Sequence, residues 1–152
     1  EELPGTVVYK LNLELPIYTF QIDFSGHVSN VVYIQWLEIC RLTLLERAGV
    51  PVHKAAAEEG LLPVLTDTEI SYRKPLYLGD RARAEAWLSE LGGATAWVEY
   101  RIYNGDGDLC AKARQRGLWV DAETRKPRRF TKAQRERFLA MLPDETTRQA
   151  DA

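Results

Sequence analysis

The chain has 152 residues, of which 45% are hydrophobic and 28% charged, with a formal net charge of −2. A chain near this size buries roughly 68–70% of the surface its unfolded form exposes, enough for one domain with a true apolar core. The small negative charge argues against a general nucleic-acid binder, and no run approaches the ~18 apolar residues of a membrane span.

Taken in chain order, Thr6 to Phe20 reads as an extended segment, with Val7, Tyr9, Leu11 and Leu13 alternating against Val8, Lys10, Asn12 and Glu14. Pro16 interrupts it and suggests a bulge or an edge. A loop over residues 23–29 leads into a helix from Asn30 to Ala48, where 12 of 19 residues are apolar. Its polar residues Gln35, Glu38 and Arg41 leave only a narrow wet stripe, so this helix needs cover around most of its circumference. Gly49 and Pro51 end it, and a short helix from Val52 to Glu59 precedes Gly60.

The remainder reads as antiparallel strands: Leu61–Arg73, Arg81–Glu90, Thr95–Tyr103 and Leu109–Val120, punctuated by Lys74-Pro75, Gly79-Asp80, Gly92-Gly93 and Asn104-Gly105-Asp106-Gly107. The last of these is a strong hairpin signal. Ala82, Ala84, Ala86 and Leu88 share one strand face, and Ala111, Ala113, Gln115 and Gly117 another, which lets a bulky helix lie close. Trp87, Trp97 and Tyr103 fall among the charges of the other sheet face, a surface that a second copy would cover. Thr131 is placed to cap a final amphipathic helix, Lys132 to Leu142, with a polar, disordered tail from residue 143. The expected organisation is a single α+β domain over residues 1–142, a long helix against a large antiparallel sheet.

The charge is uneven: residues 1–60 carry 4 Lys/Arg against 8 Asp/Glu, and residues 101–137 carry 11 against 5. The basic third is either a local anion site or a solvated face. Cys40 and Cys110 lack metal or redox spacing, and Cys40 reads as a small core residue. With no signal-peptide pattern, a reducing, cytoplasmic setting is expected. Two histidines, His27 and His53, make no metal cluster. Ser71-Tyr72-Arg73-Lys74 falls on a strand and is no S-x-x-K nucleophile, and G-x-S-x-G is absent. Asn104–Asp108 lacks the closing Glu of a calcium loop.

The residues that carry chemistry are Asp23-x-x-Gly26-His27-Val28-x-Asn30-x-x-Tyr33-x-x-Trp36-x-Glu38-x-x-Arg41. They continue in Tyr72-x-x-Pro75-Leu76-x-x-Gly79-Asp80, then Trp119-Val120-Asp121 before Lys126-Pro127. This text resembles the hotdog-fold thioesterases of the 4-hydroxybenzoyl-CoA thioesterase-like group over about residues 6–130. The resemblance implies a central helix wrapped by a curved antiparallel sheet of five or six strands. It also implies a homodimer with active sites at the interface, often assembled to a homotetramer. Its implied reaction is hydrolysis of an acyl-CoA substrate without a cofactor or metal, with acyl carrier protein conjugates as possible partners. Where many relatives carry a second Asp, this chain has Gln21, and where many read Asn it has Ser29.

By the same resemblance Asp23 is the catalytic acid, serving as general base for water or attacking the thioester directly. Flanking Ile22 and Phe24 could desolvate it and raise its pKa. A bare Asp at this place is otherwise an ordinary turn or cap residue. The backbone N–H of Asn30 is the best oxyanion donor, at the positive end of the helix dipole, and its side chain could also cap the helix. Gly26 allows the tight turn. His27, Val28, Tyr33 and Trp36 are placed to contact substrate, with Leu61, Leu62 and Val64 beside Trp36 in the acyl pocket. His27 is a positioning group more than a proton carrier. Arg73, Lys74, Arg128 and Arg129 are candidates for the coenzyme's phosphates, ahead of Lys112, Arg114 and Arg116. Glu38 is the rival acid, although Arg41 at i+3 suits a structural ion pair. Rival functions are an acyl-acyl-carrier-protein thioesterase, a 1,4-dihydroxy-2-naphthoyl-CoA thioesterase and a non-catalytic acyl-CoA-binding module.

Overall fold

A computed structural model describes residues 9–142. Its elements in chain order are β1 (Leu11–Leu15), a 3-10 turn (Thr19–Gln21), α1 (Asn30–Arg47), α2 (Val52–Glu59), β2 (Leu61–Tyr72), β3 (Ala82–Leu91), β4 (Thr95–Tyr103), β5 (Leu109–Asp121), β6 (Pro127–Arg128) and α3 (Lys132–Leu139). The strands form one six-stranded sheet in the order β1-β3-β4-β5-β2, with β6 beside β5 and every pairing antiparallel. The architecture is the expected α+β hotdog arrangement, with α1 laid over one face of the sheet.

Small residues set how closely helix and sheet approach. Ala82, Ala84 and Ala86 on β3 and Ala111 and Ala113 on β5 are all buried. Their short side chains leave room for Trp36, Leu37, Cys40 and Leu44 of α1. Across the strand pleat their neighbours face the other way, as the period of two requires. There the aromatic rings meet cations: Arg114 stacks on Trp97 at 3.8 Å, Arg83 on Tyr103 at 4.6 Å, and Lys10 on Trp87 at 4.6 Å. The chain therefore covers these rings with its own side chains, and Arg114 is engaged in stacking. Arg116 lies 3.7 Å from Asp67. Much of the basic third thus belongs to the sheet's outer face and not to an anion pocket.

Three expectations are corrected. The extended first segment shortens to β1, because Pro16 has no N–H to continue the ladder and the chain turns at Thr19–Gln21. Residues 6–8 and the tail from 143 lie outside the described residues. The last helix stops at Leu139, with Ala140 as its C-cap, though Met141 and Leu142 beyond it remain buried.

Third, α1 is not covered on most of its circumference. One face packs on β1, β3 and the inner face of β5, leaving Val31 (65% exposed), Ile34, Ile39 and Leu42 open. β2 is likewise bare: after buried Leu61, none of its residues is fully buried. β2 is one of the two edge strands among the described residues, and Leu42 of α1 shares a cavity wall with its Val64 and Leu65.

Candidate active site

The loop before α1 is organised around Asp23. The Asp23 N–H donates to the His27 carbonyl at 3.1 Å, and the Asp23 carbonyl accepts from the Gly26 N–H at 3.0 Å. Gly26 sits at φ +86°, the left-handed region that a side chain disfavours. The turn directs residues 23, 25 and 27 to one side. Asp23 Oδ1 accepts from the Ser25 N–H at 2.9 Å and from the Ser25 hydroxyl. Ser25 Oγ in turn lies 3.3 Å from His27 Nε2, and His27 packs edge-on to Tyr77 at 6.2 Å.

These bonds reverse one expectation. Phe24 is fully exposed and desolvates nothing. The Ser25 hydroxyl, then the Ser25 amide, hold the Asp23 carboxyl below the usual carboxylate range, with a smaller contribution from the charge on His27. Hydrogen bonds to the charged form outweigh burial here. Asp23 is a turn residue as well as a candidate acid, since both features use the same oxygen. Ser25 was an unassigned position in the sequence motif, because a serine in a glycine turn is unremarkable until its hydroxyl is seen between an acid and an imidazole.

The helix start is held to the rest of the fold by three bonds. Val28 N–H donates to the Leu76 carbonyl at 2.8 Å, Ser29 N–H to the Gln21 carbonyl at 3.0 Å, and the Tyr72 hydroxyl to the Asn30 carbonyl at 3.1 Å. Ser29, not Asn30, is the N-cap, and it makes no side-chain capping bond. Val32 N–H bonds the Ser29 carbonyl, whereas the amides of Asn30 and Val31 have no such partner among the described residues. Free donors at the positive helix end therefore stand within a few residues of Asp23.

The other expected residues divide sharply. Val28, Tyr33 and Trp36 are core side chains, none more than 3% exposed. Tyr33 stacks edge-on to both Trp36 and Tyr72, and burial pushes its phenol up to about 12. Arg73 and Lys74 follow β2 at the Asp23 end, but Lys74 is paired with Asp108 at 2.6 Å and Arg73 donates to Ser71. Arg128 is on β6, 3.6 Å from Asp121, and Arg129 follows it. Asp121 pairs with Leu61 at the start of β2, so the two cation pairs flank opposite ends of a strand spanning roughly 36–40 Å. They do not converge within one chain. Among the described residues, no three His, Cys, Asp or Glu side chains group as a metal site, and no helix is long and apolar enough to cross a membrane.

An apolar cavity of about 290 Å³ lies between the second half of α1, the β5–β2 end of the sheet and α3. Glu38, Leu42, Leu45, Val64, Trp119 and Phe138 are among its walls. Of the expected acyl-pocket residues only Val64 lines it; Trp36, Leu61 and Leu62 do not, because Trp36 and Leu61 point into the sealed core. Asp23 does not line it either. Glu38 does, with 62% of its side chain exposed and Arg41 3.9 Å away, too long for a hydrogen bond. Arg41 instead donates to Gln115 Oε1 at 2.7 Å.

A family model described as the Thioesterase-like superfamily matches residues 19–138. The chain belongs to this superfamily. It is 32% identical over 120 residues to YneP of Bacillus subtilis, a candidate acyl-CoA thioesterase, covering 79% of this chain and 86% of that one. Among solved structures, the DHNA-CoA thioesterase of Staphylococcus aureus superposes with a TM-score of 0.80 at 19% identity, covering 86% of this chain and 89% of that one. A second Staphylococcus aureus protein, solved in complex with CoA, superposes with a TM-score of 0.82 at 12% identity, covering 90% and 85%. At these identities the two structures speak to fold alone. The matched span includes the Asp23 loop and all of α1.

Proposed function

We propose that the chain is a cofactor-free thioesterase that hydrolyses acyl-CoA to free acid and CoA, with Asp23 as the attacking group. The observation that carries this is a carboxylate fixed by Ser25 beside the unpaired amides that open α1. An acid held below its usual range stays ionised at neutral pH. That suits a nucleophile, whereas a general base works best with a pKa near the operating pH. Asp23 Oδ2 adds to the thioester carbonyl while the Asn30 N–H takes the developing oxyanion. The carbon–sulfur bond then breaks, CoA leaves as thiolate and picks up a proton from water, and a second water cleaves the mixed anhydride to release the acid and restore Asp23. Losing one oxyanion donor typically removes about 2.7–4 kcal/mol of transition-state stabilisation. Gly26 contributes the turn, and His27 steadies the Ser25 hydroxyl.

The similarity to YneP supports an acyl-CoA substrate. A naphthoyl-CoA ester, an acyl carrier protein conjugate, or binding without turnover are the alternatives. A thiol-release assay across short acyl-CoA, palmitoyl-CoA, aryl-CoA and acyl carrier protein substrates ranks them. One observation favours a second reading of the acid: Glu38, not Asp23, lines the cavity. The Asp23→Asn variant should lose hydrolysis by a factor of about 10²–10⁴ or more while Glu38→Gln keeps most of it. The opposite pattern assigns the chemistry to Glu38.

We also read the protein as a homodimer, able to assemble further to a homotetramer, from a single domain over residues 1–142 in a cytoplasmic setting. The bare β2 edge and the exposed apolar face of α1 support the pairing. Antiparallel pairing of two β2 edges would bring Arg128 and Arg129 of one copy toward the Arg73–Lys74 end of the other, gathering the cations that a single chain separates. Sedimentation showing only monomers at micromolar concentration would contradict this.

A further inference from the structure

Trp119 brings to the apolar cavity a hydrogen-bonding group with nothing to bond. The residue is 3% exposed and forms part of the wall between α1, the β5–β2 end of the sheet and α3. Its indole Nε1–H is buried and has no acceptor among the described residues. Orphaned buried donors are few in native folds, and each calls for an explanation. Arg114 Nε is a second such atom, but Arg114 stacks on Trp97 at 3.8 Å on the outer sheet face and has further N–H groups to offer. An indole has one donor and no acceptor, so the polar capacity of Trp119 is wholly unmet.

Neighbouring side chains do not supply the acceptor. Gln115 Oε1 already accepts from Arg41 at 2.7 Å and from the Tyr100 hydroxyl at 2.8 Å, and Gln115 Nε2 donates to Thr68. Glu38 has 62% of its side chain exposed and faces Arg41. A water molecule is poorly served, since it needs about two to four polar partners and Leu42, Leu45, Val64 and Val98 offer none. The enclosure is preformed. Phe130 and Phe138, edge-on at 5.2 Å, close the α3 side, and α3 is pinned by its Thr131–Gln134 capping box and a 2.8 Å bond from Gln134 to Glu59.

We infer that this cavity is a binding site for a neutral aliphatic carbonyl compound, a ketone whose oxygen accepts from Trp119 Nε1–H. The volume of about 290 Å³ holds about ten heavy atoms at the ~30 Å³ that each water occupies, the low end of the range for ligand pockets. A carbonyl oxygen accepts and brings no hydrogen of its own. An alcohol also accepts, but its O–H then needs an acceptor that the interior side chains do not offer, which is unfavourable. A carboxylate would carry a full charge into an apolar enclosure, and the cation in the wall, Arg41, already faces Glu38 at 3.9 Å. An alkane fills the space and leaves the indole unmet. The site stands apart from the thioesterase reading, because Asp23 does not line the cavity and a ketone contains no thioester bond.

Titration of the full chain with 2-nonanone, 2-nonanol and nonane tests this. 2-Nonanone should bind about fivefold more tightly than 2-nonanol, or better, the effect of one unpaired buried hydroxyl. The chain has four Trp and so four indole N–H resonances. The one missing from Trp119→Phe should move downfield with 2-nonanone and stay in place with nonane. In Trp119→Phe the affinity ratio of 2-nonanone to nonane should fall by about fivefold or more, and taking the ratio cancels the volume that the smaller ring leaves. Ala96→Phe, which fills the cavity from β4, should abolish binding of all three. Equal affinity for ketone and alcohol overturns the selection for a carbonyl. An unchanged ratio in Trp119→Phe removes Trp119 as the donor. Binding that survives in folded Ala96→Phe, or no binding to the wild type up to the solubility limit, overturns the site. Should Trp119→Phe fail to fold, the wild-type series decides: no indole resonance that responds to the ketone alone overturns the inference.

Discussion

Gln115→Leu is the perturbation whose effect the fold determines most closely. Gln115 is 1% exposed, and its carbonyl is the shared acceptor for Arg41 at 2.7 Å and the Tyr100 hydroxyl at 2.8 Å. Burial pushes the Tyr100 phenol well up, so it remains a donor at any working pH. Replacing the amide with an apolar group of similar size leaves that hydroxyl with no acceptor, which costs about 1–3 kcal/mol. The charged bond from Arg41 contributes about 1.5–3 kcal/mol, part of which water recovers because the Arg41 side chain is 17% exposed. Thr68 is exposed and loses little. The expected destabilisation is about 2–5 kcal/mol, a large share of the ~5–15 kcal/mol typical of a whole domain. Tyr100→Phe alone should remove about 1 kcal/mol, since Gln115 keeps its bond from Arg41. In the Gln115→Leu background the same change relieves an orphaned donor and should be neutral or stabilising. Urea unfolding of the two single variants and the double, compared at constant m-value, measures the coupling. If Tyr100→Phe destabilises both backgrounds equally, the hydroxyl does not depend on Gln115 and the account of the cavity's polar wall fails.

Ser25→Ala frees the Asp23 carboxyl to move up toward its ordinary value, because the Ser25 hydroxyl is the main cause of its depression. The active, ionised form is present above that value and is lost as pH falls, so the acid limb of the kcat/KM profile should move to higher pH. The groups facing this carboxylate are His27 on the same loop and, through His27, Tyr77. Ser25→Thr should restore the limb, and an unmoved limb in Ser25→Ala refutes the clamp. At the alkaline end, burial pushes Cys40 from 9.0 up to about 11. The unfolded thiol ionises first, so this stabilisation is complete below pH 9 and lost as pH rises toward 11, an effect of about 2–3 kcal/mol. Cys40→Ala should flatten the pH dependence of urea stability over that window, and an unchanged slope rules the thiol out. Gly26→Ala meets no atom within 4 Å, so its penalty is the left-handed backbone alone, about 1–2 kcal/mol. Activity should fall further than stability, because the Gly26 amide holds the Asp23 carbonyl. Equal losses, or none, would separate the turn from the chemistry.

The elements that local chemistry punctuates were legible in the sequence. α2 runs over the expected Val52–Glu59 because Pro51 and Gly60 bound it, and β4 is the expected Thr95–Tyr103 between Gly93 and the Asn104–Gly107 turn. The inward alanines were legible from the period of two. What stayed hidden depends on partners distant in sequence. Arg114 over Trp97 follows from the β4–β5 register, which no local pattern encodes. The cavity needs α3 to fold back across α1, so neither Phe138 nor Met141 could be joined to Leu42 by spacing. Ser25 lies two residues from Asp23, yet its role depends on a turn that brings both side chains to one side. The thioesterase-like motif was recognisable through the residues at the helix start, but it gave no sign that Tyr33 and Trp36 are sealed in the core.

α1 packs on β1, β3 and the buried inner face of β5, while Val31, Ile34, Ile39 and Leu42 of the helix and the edge strand β2 beyond Leu61 remain unburied. Proteins that must avoid pairing at such an edge keep it short, twist it with bulges or guard it with lysine. β2 is twelve residues long and contains no lysine. It carries one bulge near Leu65 and Asp67 and one proline, Pro63, close to its start. The charges Asp67 and Glu69 deter indiscriminate stacking without blocking a partner of defined register. An edge left open in this way favours one specific pairing, and a two-fold operation along it joins unlike ends. Pairing along β2 would bury that edge and the open face of α1 together, which is the physical argument for the homodimer proposed above.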